Sequence, residues 1–269
     1  MAHLAAVLPA PAGAPLLQFL VAGFVLLAIG LATLTVRRRG PRPIASSRCT
    51  RRAVYYALVY GCCAACFARL FAPALLSREH SPWLLALGDV MFVTLGLFAW
   101  VMSLAETHPL RAYGFRGGPR GRFGLAMALG LAAATFYAQP HFVAVLSGQV
   151  RVTADSLVFA LLFAAAGSAL PEEMLFRGYL MASLEGRHGR WACVVMPALA
   201  FTAVRAFRFM PGADLSTQEW LRYVFGMALP LGLWWGLMRD LSGGSLWPGL
   251  VSHFVLEFGN SLAHSSSHI

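Results

Sequence analysis

The chain has 269 residues, of which 58% are hydrophobic and only 12% charged, and its mean hydropathy is +0.66. A soluble domain carries roughly a quarter charged residues, so that class is excluded. The net charge of +10 rests on 21 basic residues, all arginine and gathered in short loops between apolar runs; this distribution fits loops held on one side of a membrane and argues against nucleic acid as a partner.

Eight apolar runs are each long enough to cross roughly 30 Å of hydrocarbon. They cover 16–36, 53–75, 83–105, 123–146, 156–182, 191–208, 220–238 and 246–262. An open sheet would leave backbone groups unpaired in lipid, and barrel strands are far shorter, so these are helices. The expected fold is all-α, a polytopic membrane helix bundle of about eight transmembrane helices, with no extramembrane module. N-terminal spans with Arg-rich loops occupy 1–122, and 123–269 forms the core.

The first run lacks a positive segment ahead of it, whereas "RRRGPRP" follows it. That polarity is opposite to a cleaved signal peptide and predicts a retained helix with its N-terminus outside. Arg37, Arg38, Arg39, Arg42, Arg48, Arg51, Arg52, Arg111, Arg116, Arg120, Arg122, Arg187, Arg190 and Arg239 then fall in inside loops, against Arg78 and Arg151 outside. Both termini are expected outside, in what the Arg-only, Ala-rich composition suggests is a bacterial cytoplasmic membrane. The run "CCAAC" (Cys62, Cys63, Cys66) reads as small buried cysteines, and Cys49 and Cys193 as reduced thiols near the inner ends of spans. "GFRGGPRGRFG" (114–124) lacks the Lys-Ser/Thr ending of a phosphate-binding loop and reads as a basic loop near headgroups.

Ionisable groups inside spans are costly, at least about 2.5–3.5 kcal/mol each at the bilayer centre, and are functional candidates for that reason. They are Arg69, Asp89, Glu172, Glu173, Arg177, Arg205 and Glu257, with His141 and His253 as titratable additions. Arg69 and Asp89 read as a structural pair or as snorkelling side chains. In "SALPEEMLFRGYL" (168–180), Glu173 and Arg177 lie four apart and share a helix face, while Glu172 points about 100° away. Pro171 before two acids resembles a helix start, so a break or kink is expected at "SALP". Two adjacent carboxylates in a low dielectric resist joint ionisation, the setting in which a carboxylate serves as general base.

The eighth run, "SLWPGLVSHFVLEFGNSL" (245–262), places His253, Glu257 and Asn260 on one stripe. Glu172 lies roughly 15 Å from the inner end of its span, and His253 and Glu257 lie roughly 10–16 Å from the same side. The two polar faces therefore sit at compatible depths. Mid-span Trp234 and Trp235 read chiefly as core packing.

These residues resemble the CPBP family of intramembrane proteases, which includes the Rce1-type CAAX prenyl proteases. "EEMLFR" (172–177) matches its Glu-Glu-x-x-x-Arg motif, and the segment leading to His253 resembles the approach to its last motif, His-x-x-x-Asn. The resemblance covers roughly 156–262. Two positions depart from it. The middle motif, Phe-x-x-x-His, reads "FTAVR" here, with Arg205 in place of His, and "HFVLE" ends in Glu257 rather than Asn, with Asn260 one turn on.

By resemblance, the chain is an intramembrane endopeptidase that cleaves a membrane-anchored peptide or protein with carboxylate-activated water. Glu172 is then the general base, Glu173 its partner held by Arg177, and His253 an oxyanion donor. Arg205 is an electrostatic donor or an inactivating replacement, and an ion pair of Arg205 with Glu257 would offset the two departures. The residues leave a glutamic and a metallo mechanism open; zinc usually wants three protein ligands, often two of them His, and losing the middle His weakens a zinc reading and favours the glutamic one. Two alternatives compete. One is a non-catalytic relative that binds a hydrophobic peptide or membrane partner. The other is a proton-coupled carrier, disfavoured by the lack of an inverted repeat.

Overall fold

The computed structural model describes residues 44–66, 97–106, 108–208 and 216–266. The predicted first span and the Arg69–Asp89 pair lie outside the described residues. Among the described residues the chain is all-helical: α1 (Ser47–Cys66), α2 (Leu97–Glu106), α3 (Arg120–Leu146), α4 (154–184), α5 (Arg190–Arg208), α6 (217–241) and α7 (Trp247–Ser266). These seven helices fall on the predicted second to eighth spans. Arg120–Leu146, Ser156–Leu184 and Arg190–Arg208 are long and apolar enough to cross a membrane, and the chain is an integral membrane protein.

Helix α4 forms the centre. Every residue from Pro171 to Leu184 is buried, and α1, α5 and α7 pack around it. Helix α7 lies along α3, which buries only small residues four apart: Ala126, Gly130, Ala134 and Ala138. A Cβ on Gly130 would sit 3.0 Å from the Pro248 carbonyl oxygen and 3.3 Å from the Ser252 side chain. Such close backbone approach is how helices pack where lipid supplies no hydrophobic drive. Ser252 exploits it, its hydroxyl donating to the Gly130 carbonyl at 2.7 Å. The outer face of α3, with Leu125, Phe136 and Leu146, stays exposed to where lipid lies.

The expected break at "SALP" does not occur. Residues 154–184 form one continuous helix, wound wide over Phe163–Ala169 and Glu173–Leu180. A proline inside a helix donates no N–H and crowds the carbonyl four residues earlier, here that of Gly167. Wide turns, with their longer hydrogen-bond spacing, absorb the mismatch. The Tyr60 hydroxyl from α1 donates to the freed Gly167 carbonyl at 3.2 Å.

The "GFRGGPRGRFG" segment keeps its arginines exposed, while two of its glycines pack against the turn before α7. Gly114 adopts φ 100°, and its carbonyl accepts from the Leu246 N–H at 2.8 Å. A Cβ at Gly118 would fall 1.9 Å from the Ser242 carbonyl oxygen, so only glycine fits there. The Ser245 hydroxyl closes the contact by donating to the Arg116 carbonyl. In the "CCAAC" run Cys63 is buried as expected, but Cys62 faces outward.

Candidate active site

Three helices deliver charge to one buried point. Glu172 comes from the junction of the two wide turns of α4, Arg205 from the last turn of α5, and His253 and Glu257 from one face of α7. The terminal nitrogen Nη2 of Arg205 lies 2.7 Å from Glu172 Oε2, 2.7 Å from Glu257 Oε1, 2.9 Å from Ser168 Oγ and 2.9 Å from His253 Nε2. Arg205 Nε donates to the same Glu172 oxygen at 2.9 Å. All of these side chains are buried. The ion pair between Arg205 and Glu257 is present as the two departures from the family pattern suggested.

The second carboxylate occupies an adjoining niche. Glu173 Oε1 accepts from Arg177 Nη1 at 2.9 Å and lies 3.1 Å from His253 Nδ1. Arg177 also donates to the Gly232 carbonyl of α6 at 3.0 Å. Its guanidinium sits over the Phe201 ring at 4.4 Å, and that of Arg205 at 5.4 Å. Phe201, the aromatic residue of "FTAVR", therefore lies within reach of two cations and is attractive to both. Glu173 Oε2 is buried without a hydrogen-bond partner, close to Gly249, where an added Cβ would meet it at 2.8 Å. Glycine at 249 leaves room for that carboxylate.

The hydrogen bonds assign the imidazole tautomer. An arginine has donors and no acceptor. A proton on His253 Nε2 would confront the Arg205 N–H groups, so Nε2 accepts and the ring proton rests on Nδ1, donating to Glu173. Trp235 holds the ring in place by stacking at 4.1 Å between centroids with an 18° interplanar angle. Its own N–H donates to Ser252 Oγ at 2.9 Å. Trp234, its neighbour, instead donates to the Leu129 carbonyl. Asn260 lies one turn beyond Glu257, half-buried.

Zinc does not fit at this point. A guanidinium nitrogen already fills the space between Glu172, Glu257 and His253, and a divalent cation there would confront a fixed positive charge. The arginine supplies the cation of the cluster from the chain itself.

Three neighbours were missed in the sequence, and a fourth, Trp235, was read chiefly as core packing. The Tyr60 hydroxyl, 3.1 Å from Glu172 Oε1 and 3.2 Å from the Gly167 carbonyl, shares its one proton between them. Ser168 reaches Arg205, and Trp235 stacks on His253. Arg208 approaches Glu172 Oε1 at 3.8 Å. Arg208 had a legible signal, since it is an arginine one turn after Arg205 near the end of an apolar span. Tyr60 and Ser168 had none, because neutral hydroxyls are common in such helices.

Residues 154–259 match the family described as type II CAAX prenyl endopeptidase Rce1-like. The match runs from the start of α4 into α7 and ends just before Asn260, within the segment on which the motif resemblance rested. No curated protein and no solved structure matches the chain.

Proposed function

We propose that this chain, which belongs through residues 154–259 to the Rce1-like CAAX endopeptidase family, is an intramembrane endopeptidase acting on membrane-anchored peptides or proteins. The observation that carries the reading is the meeting of Glu172, Arg205, His253 and Glu257, from three helices, around one buried nitrogen. Packing alone does not require it, because a buried ion pair is often no more stabilising than apolar residues of the same volume.

The roles follow from donors and acceptors. Arg205 Nη2 carries two N–H groups but has four acceptors within 2.9 Å. Acceptors outnumber protons, so the cluster can surrender one N–H to an incoming carbonyl oxygen. Peptide entry then transfers an Arg205 N–H from Glu172 to that oxygen and frees a carboxylate lone pair for water. Glu172 takes the water proton as the water oxygen bonds to the carbonyl carbon. Arg205 neutralises the oxyanion, the largest electrostatic demand of acyl transfer. The proton on Glu172 passes to the departing amine as the C–N bond breaks. His253 Nε2, being an acceptor, orients the water, so the oxyanion donor is Arg205 rather than His253. Glu173 and Arg177 fix the imidazole through Nδ1, and Glu257 keeps Arg205 in place when Glu172 lets go.

A second reading is favoured by one observation: both oxygens of Glu172 already accept, from Arg205 and Tyr60. A relative that binds hydrophobic peptides without cutting them would show this saturation too. One comparison separates the readings. New N- and C-termini of membrane proteins are mapped by mass spectrometry in cells carrying the wild type or Glu172→Gln. Proteolysis predicts termini that vanish in the variant; identical sets of termini with an unchanged biological effect would establish the binding reading instead.

A further inference from the structure

A second cluster of chemistry lies apart from the Arg205 centre, where α1, α2 and the loop after α2 meet. Cys49 in the first turn of α1, Glu106 at the end of α2 and His108 just beyond it place one ligand atom each within 4.8 Å of one another. All three side chains are buried, at 3%, 3% and 8% exposure. Thiol, imidazole and carboxylate together form a donor set suited to a borderline divalent ion rather than to calcium or magnesium, which prefer oxygen ligands.

A second observation points to a missing ligand. The hydroxyl of Tyr113 is buried and has no hydrogen-bond partner, and that of Tyr179 is buried against Glu106 and Cys49. Both rings are fully buried and lie about the imidazole, at 6.1 and 6.3 Å from His108 between centroids. Glu106 and Cys49 are the electrostatic neighbours of both hydroxyls. A buried hydroxyl without a partner is costly, and that of Tyr113, beside the same three donors, calls for an occupant.

The outer partners of a metal ligand are also in place. Tyr56 donates to Glu106 Oε1 at 2.7 Å and Arg52 to Oε2 at 2.9 Å. Such bonds fix a ligating carboxylate while leaving each oxygen a further lone pair.

We propose that Cys49, Glu106 and His108 bind a zinc ion, with the Tyr179 hydroxyl or a solvent molecule at the fourth position. Cys49 binds as thiolate and releases its proton to solvent. The site ties α1 and α2, outside the family match, to α4, since Tyr179 stands on the same helix as Glu172 and Glu173. It is independent of whether the Arg205 cluster cleaves anything.

The test uses the full-length chain in detergent, loaded with zinc, desalted and measured for bound metal, with cobalt(II) as a spectroscopic substitute. The expected result is about one zinc per chain, lost in Cys49→Ser and His108→Ala but retained in the Glu172→Gln/His253→Ala double variant. Cobalt should give a thiolate-to-metal charge-transfer band in the wild type. Zinc that survives Cys49→Ser, or that disappears with the Glu172/His253 pair, would overturn the assignment. Should the Cys49 or His108 variants fail to fold, the cobalt spectrum of the wild type decides alone, and absence of the thiolate band refutes the site.

Discussion

Arginine at 205 changes the chemistry of the cluster more than any other residue. Where the family pattern has a neutral ring, this chain has a permanent cation, and it places a carboxylate at 257 to face it. Each replacement alone would leave an unbalanced buried charge. Arg205→Ala is therefore expected to cost about 3–5 kcal/mol by stranding Glu172 and Glu257. Glu257→Gln should cost less, since Glu172 still faces Arg205. The double variant Arg205→Ala/Glu257→Gln should be more stable than Arg205→Ala, as read by thermal unfolding in detergent. Strict additivity of the two losses would show that the pair is not coupled. The pairing was foreseeable from charge balance, because the two departures from the family pattern carry opposite signs. That Arg205 also reaches Ser168 and His253 was not foreseeable, since a side chain's reach depends on how close its helix lies to the next.

Helix α4 shows how an element accommodates a residue that ought to break it. The Pro-Glu-Glu pattern predicted a start or kink at 171, yet the chain on either side continues as helix, because this stretch is buried and a break would leave its backbone groups unpaired. Unpaired backbone groups in that setting cost more than two wide turns. Tyr60 makes the arrangement workable by serving Gly167 and Glu172 with one hydroxyl. Tyr60→Phe should destabilise the fold by about 1–3 kcal/mol and loosen the wide turns. Hydrogen exchange of amides 163–180 would register the second effect; unaltered exchange would mean that the tyrosine is a bystander. A local pattern shows proline's cost, but not which neighbour compensates for it.

The assembled bundle raises the matter of orientation. Helices α3 and α7 run in the same direction, since Gly130 packs near Pro248 and Ser252, and Ala138 near Gly259. The fourth and eighth members of an alternating series must do so. The arginine-rich loops are expected on the cytoplasmic side, and accessibility can test this. Gly117 has open space around it and Gln149 is exposed, so cysteine should be tolerated at either in an otherwise cysteine-free chain that still folds. A membrane-impermeant maleimide should label Gln149→Cys in intact cells and Gly117→Cys only after the membrane is opened. The reverse pattern would invert the topology.

Composition and hydropathy were enough to establish a membrane helix bundle and the course of its described spans, because each span must satisfy its own backbone in lipid and so declares itself locally. The paired acids and the imidazole were equally legible, since ionisable groups in such spans stand out against their cost. Depth and charge suggested that α4 and α5 face α7, but the atom-to-atom bonds of the centre were not legible. The bonds that build the centre join Arg205 to Glu172 across 33 positions, His253 to Glu173 across 80 and Tyr60 to Glu172 across 112. Periodicity reports which face of a helix is polar, but the partner of that face is chosen by packing among all the helices at once.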